Sequence, residues 1–503
     1  MIFPSENNFL NLTKMGNLIP VYKEIDCGAE TPVSAYYKLA HPSKYAFLLE
    51  SIEGEEKIAR FSFLAKDPEL LFESKADKIK ITKFKKGKAV SKVSNIKDTP
   101  LSKIRDIFKK YKFVATSGLP RFCGGMVGYL SYDIVRFFEQ LPKKNKDDLK
   151  LPDALFMLAK TLLIFDHINK KIKVVKCVDI APKATQAQKI KAYTRALQEI
   201  DELIMSLSTP TLITKNNNGR NGLQSVQSKV KSNFTKAQFE GIIKKAKKQI
   251  QAGEIIQVVL SQRFEVGLKT DPFNIYRKLR VLNPSPYMYY LNFNDIQIIG
   301  SSPELLVRCE NGVVETRPIA GTRPRGKNKK QDDDHAKDLL KDPKEKAEHI
   351  MLVDLGRNDL GRVCAKGSVY LSEFMQIERY SHVMHIVSNV KGKLNRKFDD
   401  FDVLQAAFPA GTVSGAPKIR AMEIIEDLEN VTRGPYAGCI GYFSFSGNLD
   451  TCITIRTIVT TKNKAYVQAG AGIVADSNPS KEYEETVNKA KAALTAIDEA
   501  HKS

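Results

Sequence analysis

Residues 287–317 read YMYYLNFNDIQIIGSSPELLVRCENGVVETR, four short apolar runs with no helix-length segment between them. They centre on Tyr287 to Asn292, Ile296 to Ile299, Leu305 to Cys309 and Val313 to Arg317, and each has the length and composition of a strand. Ile255 to Val266, just upstream, reads as a further strand. Strands that come in clusters, without a helix after each one, predict an α+β fold with large, mostly antiparallel sheets flanked by helices.

Outward from this cluster the same pattern recurs. A helix precedes it, with Thr235 and Gln238 as a capping box, Phe239, Ile242, Ile243, Ala246 and Ile250 on one face, and Gly253 at its end. Nearer the N-terminus, Ala46 to Leu49 and Ile58 to Leu64 read as strands, Leu162 to Phe165 with Lys171 to Val178 as a hairpin, and Gln186 to Leu207 as an amphipathic helix. Ser208 to Asn233 is polar, contains Asn216-Asn-Asn-Gly-Arg-Asn-Gly222 and lacks apolar periodicity. The expected organisation is an N-terminal part, 1–207, a linker, 208–233, and a C-terminal part, 234–503.

The 503 residues are 42% apolar and 27% charged, an ordinary globular balance with enough chain for a large core. Met1 to Leu10 has no basic cluster leading an apolar run, so no secretory leader is expected, and no apolar stretch is long enough to span a bilayer. Seven cysteines stand singly without a Cys-x-x-Cys, which predicts reduced thiols in a cytoplasm and no zinc framework. The net charge of +22 comes mostly from lysines dispersed along the chain, such as Lys83 to Lys92 and Lys143 to Lys150. That pattern fits a solvated surface better than a nucleic-acid-reading one.

Chemistry enters with two glutamate pairs of equal spacing, Glu345 with Glu348 and Glu482 with Glu485. Each follows an Asx-Pro step, Asp342-Pro343 or Asn478-Pro479, that supplies a helix N-cap and a first-turn proline. At i,i+3 both carboxylates of a pair share a face, and four from two helices can hold a hard cation such as Mg²⁺. Either pair alone is equally explained by capping and a solvated face. Gly470-Ala-Gly-Ile-Val474 reads as a glycine turn whose bare N–H groups can approach a carboxylate. Lys489 shares the face of Glu485, and Arg456 is expected on a strand facing with Thr454 and Cys452. Together these groups suit a small dicarboxylate.

Seven segments of the C-terminal part, in order, resemble the chorismate-utilising enzymes, and most closely the large subunit of anthranilate synthase. They are Glu254 to Gln262, Gly300 to Leu305, Arg317 to Thr322, Glu345 to His349, Val353 to Asp359, Phe408 to Lys418 and Gly470 to Val474. The resemblance implies that Glu345, Glu348, Glu482 and Glu485 bind Mg²⁺ against the ring carboxylate of chorismate. It implies backbone donors at Gly470, Ala471 and Gly472, and a grip on the enolpyruvyl carboxylate by Tyr436, Arg456 and Lys489. Gly321, Thr322 and Thr412 would line the ring site, Thr412 with a catalytic part. Glu304 would be the general acid and His385 the group that removes the C2 proton.

Two positions separate the branches that the resemblance brings into play. Relatives that add water carry a lysine base where this chain has Gln257, and those that direct the amine to C4 typically carry a nucleophilic lysine where it has Ala320. Amination at C2 to give anthranilate is therefore expected, with aminodeoxychorismate synthase component I as the alternative. No Gly-x-Cys-x-Gly elbow is present, so a separate glutamine amidotransferase subunit is expected, in a heterotetramer of two large and two small subunits. Leu48 to Ser51 and Asn283 to Met288 resemble the regulatory segments of tryptophan-sensitive relatives, which implies an L-tryptophan site at Glu50, Ser51, Pro286, Tyr287 and Met288.

Other motifs lead elsewhere. His382-x-x-His385 on an alternating strand would point its rings to opposite faces, which excludes shared zinc ligation. Gly411 to Lys418 lacks the Gly-Lys-Ser/Thr ending of a phosphate loop.

Overall fold

A computed structural model of the chain describes residues 2–52, 60–85, 88–209, 230–380 and 383–502. Two large sheets, one of 13 strands and one of 12, account for the strands of these residues, and every strand pair within them is antiparallel. The strand cluster supplies members to both: Tyr287–Phe293 and Ile296–Ser302 lie in the first sheet, Leu305–Glu310 and Val313–Thr316 in the second.

The sheets pack face to face through a shared apolar layer. Phe47, Phe63, Tyr289 and Ile298 from one meet Val127, Tyr129, Met157 and Ile440 from the other, all buried. Helices Gln186–Ser208, Pro272–Leu282 and Pro479–His501 cover the outer face of the first sheet. Helices Pro100–Phe108, Pro343–Gly361 and Asp400–Ala407 cover that of the second. The result is the expected α+β architecture in four layers, with apolar side chains of alternating strands directed both ways.

Strands from before and after the polar segment share both sheets. Tyr45–Glu50 pairs with Tyr287–Phe293, placing Glu50 opposite Met288, and Gly125–Leu130 pairs with Cys439–Ser444, placing Gly128 opposite Gly441. Within the range read as a linker, Lys231–Ser232 forms a short strand against Phe264 and Glu265, while residues 210–229 lie outside the described ones. The capping box at Thr235 and Gln238 is formed as expected, and the hairpin of Thr161–Asp166 with Lys171–Asp179 is present. No described helix is long and apolar enough to cross a membrane.

Candidate active site

Two places where the chain passes from one sheet to the other lie side by side. Pro303 and Glu304 join Ile296–Ser302 of the 13-stranded sheet to Leu305–Glu310 of the 12-stranded one. Residues 454–456 join Leu449–Ile453 back to Thr457–Thr461. Hydrogen bonds tie the crossings together: the Ser302 hydroxyl donates to the Ile453 carbonyl (2.7 Å), and the Ser301 N–H to the Arg456 carbonyl (3.2 Å).

Arg456 is thus not on the strand expected from its spacing to Thr454 and Cys452. That strand ends at Ile453, and Arg456 itself has φ of 53°. A non-glycine residue in this region costs about 1 kcal/mol or more and persists where its surroundings demand a corner. The change of sheet is that demand, and no apolar pattern announces it. The guanidinium is buried, donates to the Lys489 carbonyl (2.7 Å), and is held below its ordinary pKa by burial.

Glu304 is 8% exposed, and burial pushes its carboxyl up to about 8 despite smaller opposing pulls from the Thr412 hydroxyl and the Lys489 ammonium. It therefore carries a proton at neutral pH. Thr412, in the short turn Gly411–Val413, influences the acid but its Oγ1 completes no well-formed hydrogen bond.

His385 stands on strand Val383–Lys393, with Nδ1 2.7 Å from the Gly321 carbonyl and 3.2 Å from Thr322 Oγ1. A carbonyl only accepts, so Nδ1 carries the proton and Nε2 keeps its lone pair. Burial, and then the Arg456 charge, hold the imidazole below its ordinary pKa, so it is neutral at pH 7. His382 lies outside the described residues.

Gly470, Ala471 and Gly472 do not form a turn. They are strand residues, opposite Ser261, Leu260 and Val259, because the glycines serve close approach and not a change of direction. A Cβ at Gly470 would stand 2.6 Å from the Tyr436 hydroxyl, and one at Gly472 would stand 2.6 Å from Gln257 Nε2. The strand's other edge is covered by Thr457–Thr461 only as far as Val467. Tyr436 is buried, which raises its hydroxyl to about 12 and keeps it a donor. Lys489 Nζ reaches the Gly470 carbonyl at 3.1 Å and pairs with Glu485 at 2.6 Å.

Both glutamate pairs open helices as expected, Pro343–Gly361 capped by Asp342 and Pro479–His501 capped by Asn478. Glu348 accepts from Gln257 Nε2 at 3.2 Å, and Glu345 from Arg323 at 3.3 Å. Burial raises the pKa of Glu348 and Glu482, the partner glutamate adding to each shift. Each also feels Lys344 and Lys489, one lysine from each helix, so the two helix starts face one another. Among the described residues no three acidic, His or Cys groups close into a ready-made metal cluster. The fit to a divalent cation rests on donor chemistry: oxygen donors alone, on two facing helices, with like charges that a hard cation would offset.

The family model of chorismate binding enzymes matches residues 44–495. Anthranilate synthase component 1 of Acetivibrio thermocellus is 48% identical, with 99% of this chain and 99% of that protein covered. The protein of the same name from Aquifex aeolicus (strain VF5) is 50% identical, covering 98% and 97%. This chain belongs to the anthranilate synthase component 1 family. The crystal structure of anthranilate synthase component I from Streptococcus pneumoniae TIGR4 superposes with a TM-score of 0.74 at 38% identity, covering 93% of this chain and 99% of that one. The menaquinone-specific isochorismate synthase of Escherichia coli, 20% identical with a TM-score of 0.68 over 98% of each chain, shares the fold.

In this member of the anthranilate synthase component 1 family a second cavity, of about 810 Å³, opens between the sheets. Glu50, Ser51, Pro286, Tyr287 and Met288 all line it. The Glu50 carboxylate is already engaged within the protein: it accepts from two nitrogens of Arg280 (3.0 and 3.1 Å) and from the Tyr276 hydroxyl. Ser51 Oγ, by contrast, is buried with no partner in the protein. Asp450 holds the opposite wall, accepting from Arg121 (2.9 Å), Arg308 (3.0 Å) and the Tyr287 hydroxyl (2.9 Å).

Two supports were missed in the sequence. The buried pair Arg433–Glu429 (2.6 Å) pins the carbonyls of Val413 and Val259 and places its guanidinium 5.6 Å from the Tyr436 ring, fixing two walls of the site. Lys418 and Asp359, from two of the seven segments, pair at 2.7 Å. Glu429 and Arg433 stand at i,i+4, the one local signal for that pair, whereas Lys418 and Asp359 are 59 residues apart. Arg357 is exposed and pairs with Asp354.

Proposed function

We propose that this chain converts chorismate and ammonia to anthranilate and pyruvate, the reaction its family name denotes. The observation that carries the reading is a protonated, buried Glu304 and a neutral His385 placed around Arg456, Tyr436 and Lys489, with an amide at Gln257 where a base for water would have to stand.

Arg456, Tyr436 and Lys489 would bind the enolpyruvyl carboxylate, and the open strand edge at Gly470 to Gly472 the ring carboxylate. Glu304 donates its proton to the departing C4 hydroxyl while ammonia attacks C2. Gln257 cannot deprotonate water, and Ala320 offers no nucleophile, so ammonia is the partner and the nitrogen stays at C2. His385 Nε2 then takes the C2 proton as the ring C–O bond breaks, and the enolpyruvate released gains a proton at its methylene carbon to become pyruvate. Mg²⁺, held by Glu345, Glu348, Glu482 and Glu485, would offset the ring carboxylate's charge and orient it.

Two further features belong to this reading. L-tryptophan would occupy the 810 Å³ cavity as a feedback inhibitor, its apolar ring against Pro286 and Met288 and a polar atom on the unpartnered Ser51 hydroxyl. A glutamine amidotransferase subunit would supply ammonia in vivo, in a heterotetramer of two large and two small subunits. Incubation of the purified chain with chorismate, an ammonium salt and Mg²⁺, with products separated and identified, tests the core claim. Anthranilate with equimolar pyruvate is expected; 4-amino-4-deoxychorismate or isochorismate as the main product would reject it.

A further inference from the structure

Against Glu304 lies a separate cavity of about 40 Å³, and neither Lys489 nor Arg456 lines it. Its polar wall comprises Glu304, Thr316, Thr412, Arg317 and Asp359, the Thr316 hydroxyl being spent on the Leu306 carbonyl; Leu352, Leu355 and other apolar residues complete it. Thr412 Oγ1 and Arg317 Nε are both buried and without a well-formed hydrogen bond, and both line this one space. Arg317 spends its Nη2 on Glu378 and Glu373, so Nε remains as a donor. Asp359 closes the far end, paired with Lys418, and that pair is 14–15% exposed at its side chains. The volume admits roughly three waters, and Glu304, Thr412 Oγ1, Arg317 Nε and Asp359 offer polar atoms for ordered water to bond.

We propose that this cavity is a hydration site through which the Asp359–Lys418 pair returns a proton to Glu304 after each amination, which makes Asp359 a positioning residue for the acid. The inference rests on Glu304 being the acid of the proposed reaction. As C4–O breaks, the O–H bond of Glu304 breaks and the proton leaves with the hydroxyl as water. The carboxylate left behind sits where charge is disfavoured. It takes a proton from a cavity water, which takes one from the Asp359 side, and that is replaced from solvent. The proton shed by the new C2 ammonium balances the one taken up. Charged groups around the path are Lys489 by Glu304, Arg317 in the cavity wall, and Lys418 and Arg362 by Asp359.

The test uses the full chain with ammonia. Asp359→Asn should lower kcat at least about tenfold, the low end for loss of support to a general acid, with KM for chorismate unchanged. The solvent deuterium isotope effect on kcat should rise in the same variant, and Asp359→Glu should recover part of both. Ala407→Val fills the cavity while leaving both charged side chains and the Ala407 carbonyl that Lys418 also reaches (3.4 Å) in place, and should act in the same direction, which keeps the test open if Asp359→Asn fails to fold. A crystal structure should show water hydrogen-bonded to Arg317 Nε and Thr412 Oγ1. A wild-type kcat and isotope effect in the variants, or a loss confined to KM, would overturn the proposal, as would a dry cavity. A wild-type chain that makes no anthranilate would instead reject the function itself, and the crystallographic waters would still decide on the site.

Discussion

The main-chain N–H of Ile453 donates to the carbonyl of Glu304 across 3.0 Å, so the acid hangs from a bond that joins two sheet-to-sheet crossings. Its rotation is limited by backbone, and its proton affinity is set by burial. Both properties lead to measurable pH behaviour.

At constant free ammonia, the rate should be bell-shaped in pH. The lower limb reports His385, which must be neutral to act as base and whose pKa lies below the ordinary 6.5; the upper limb reports loss of the Glu304 proton near pH 8. Glu304→Gln should remove the upper limb and cut the rate by about 10²–10⁴. Because the folded pKa is raised from 4.5, this carboxyl stabilises the fold fully below pH 4.5 and loses that contribution as pH rises through about 8. Glu304→Gln should accordingly melt above wild type at pH 9 by more than it does at pH 6. An unchanged upper limb would remove Glu304 from the role of acid.

Glu348→Gln and Glu485→Gln each delete a charged oxygen donor while keeping shape. Calorimetric Mg²⁺ binding should weaken strongly in both, and activity should drop by about two orders of magnitude. Metal binding at wild-type strength in either variant would return that glutamate to a capping or surface role.

His385→Gln leaves Glu304 and the carboxylate grip in place. It should accumulate 2-amino-2-deoxyisochorismate, detectable by chromatography, with little anthranilate. Simultaneous loss of both steps in a folded variant would show that the histidine is not confined to elimination.

L-tryptophan should inhibit the ammonia-dependent reaction, and Ser51→Phe and Met288→Thr should relieve the inhibition at nearly normal turnover. The first replaces the unpartnered hydroxyl with a ring that fills the cavity; the second removes apolar wall. Glu50→Gln is a different matter. It strands Arg280 and Tyr276 and should lower thermal stability even without ligand.

Arg433→Met should destabilise the chain by about 3–5 kcal/mol, since it leaves Glu429 buried and uncompensated. Denaturant melts measure this directly. Turnover should fall with it, because the Val413 carbonyl beside Thr412 and the ring of Tyr436 lose their common anchor.

The strand cluster of residues 287–317, the capping boxes and the helix-opening glutamates were legible because each is a local pattern: alternation, cap chemistry or i,i+3 spacing. Arg456 was misplaced because a strand that ends to change sheets looks, residue by residue, like one that continues. Gly470 to Gly472 were misread because glycine signals both turns and close approach, and only the neighbouring Tyr436 and Gln257 distinguish them. Glu50 could be assigned to a cavity wall, but its engagement by Arg280 joins segments 230 residues apart, and nothing local encodes that pairing. Asp359 escaped for the same reason, its partner Lys418 lying 59 residues away; the Arg433–Glu429 pair has an i,i+4 spacing, and only the fold shows that it is buried.

That both sheets draw strands from the two ends of the chain has a consequence for biosynthesis. Glu50 meets Tyr276 across 226 residues, and at about 5–20 residues per second a ribosome needs roughly ten to forty-five seconds to deliver that partner. Tyr45–Glu50 and, once made, Gly125–Leu130 stand on the nascent chain with an edge each awaiting Tyr287–Phe293 and Cys439–Ser444. The polypeptide is therefore a late folder, dependent on its last hundred residues, and open to chaperone capture until release.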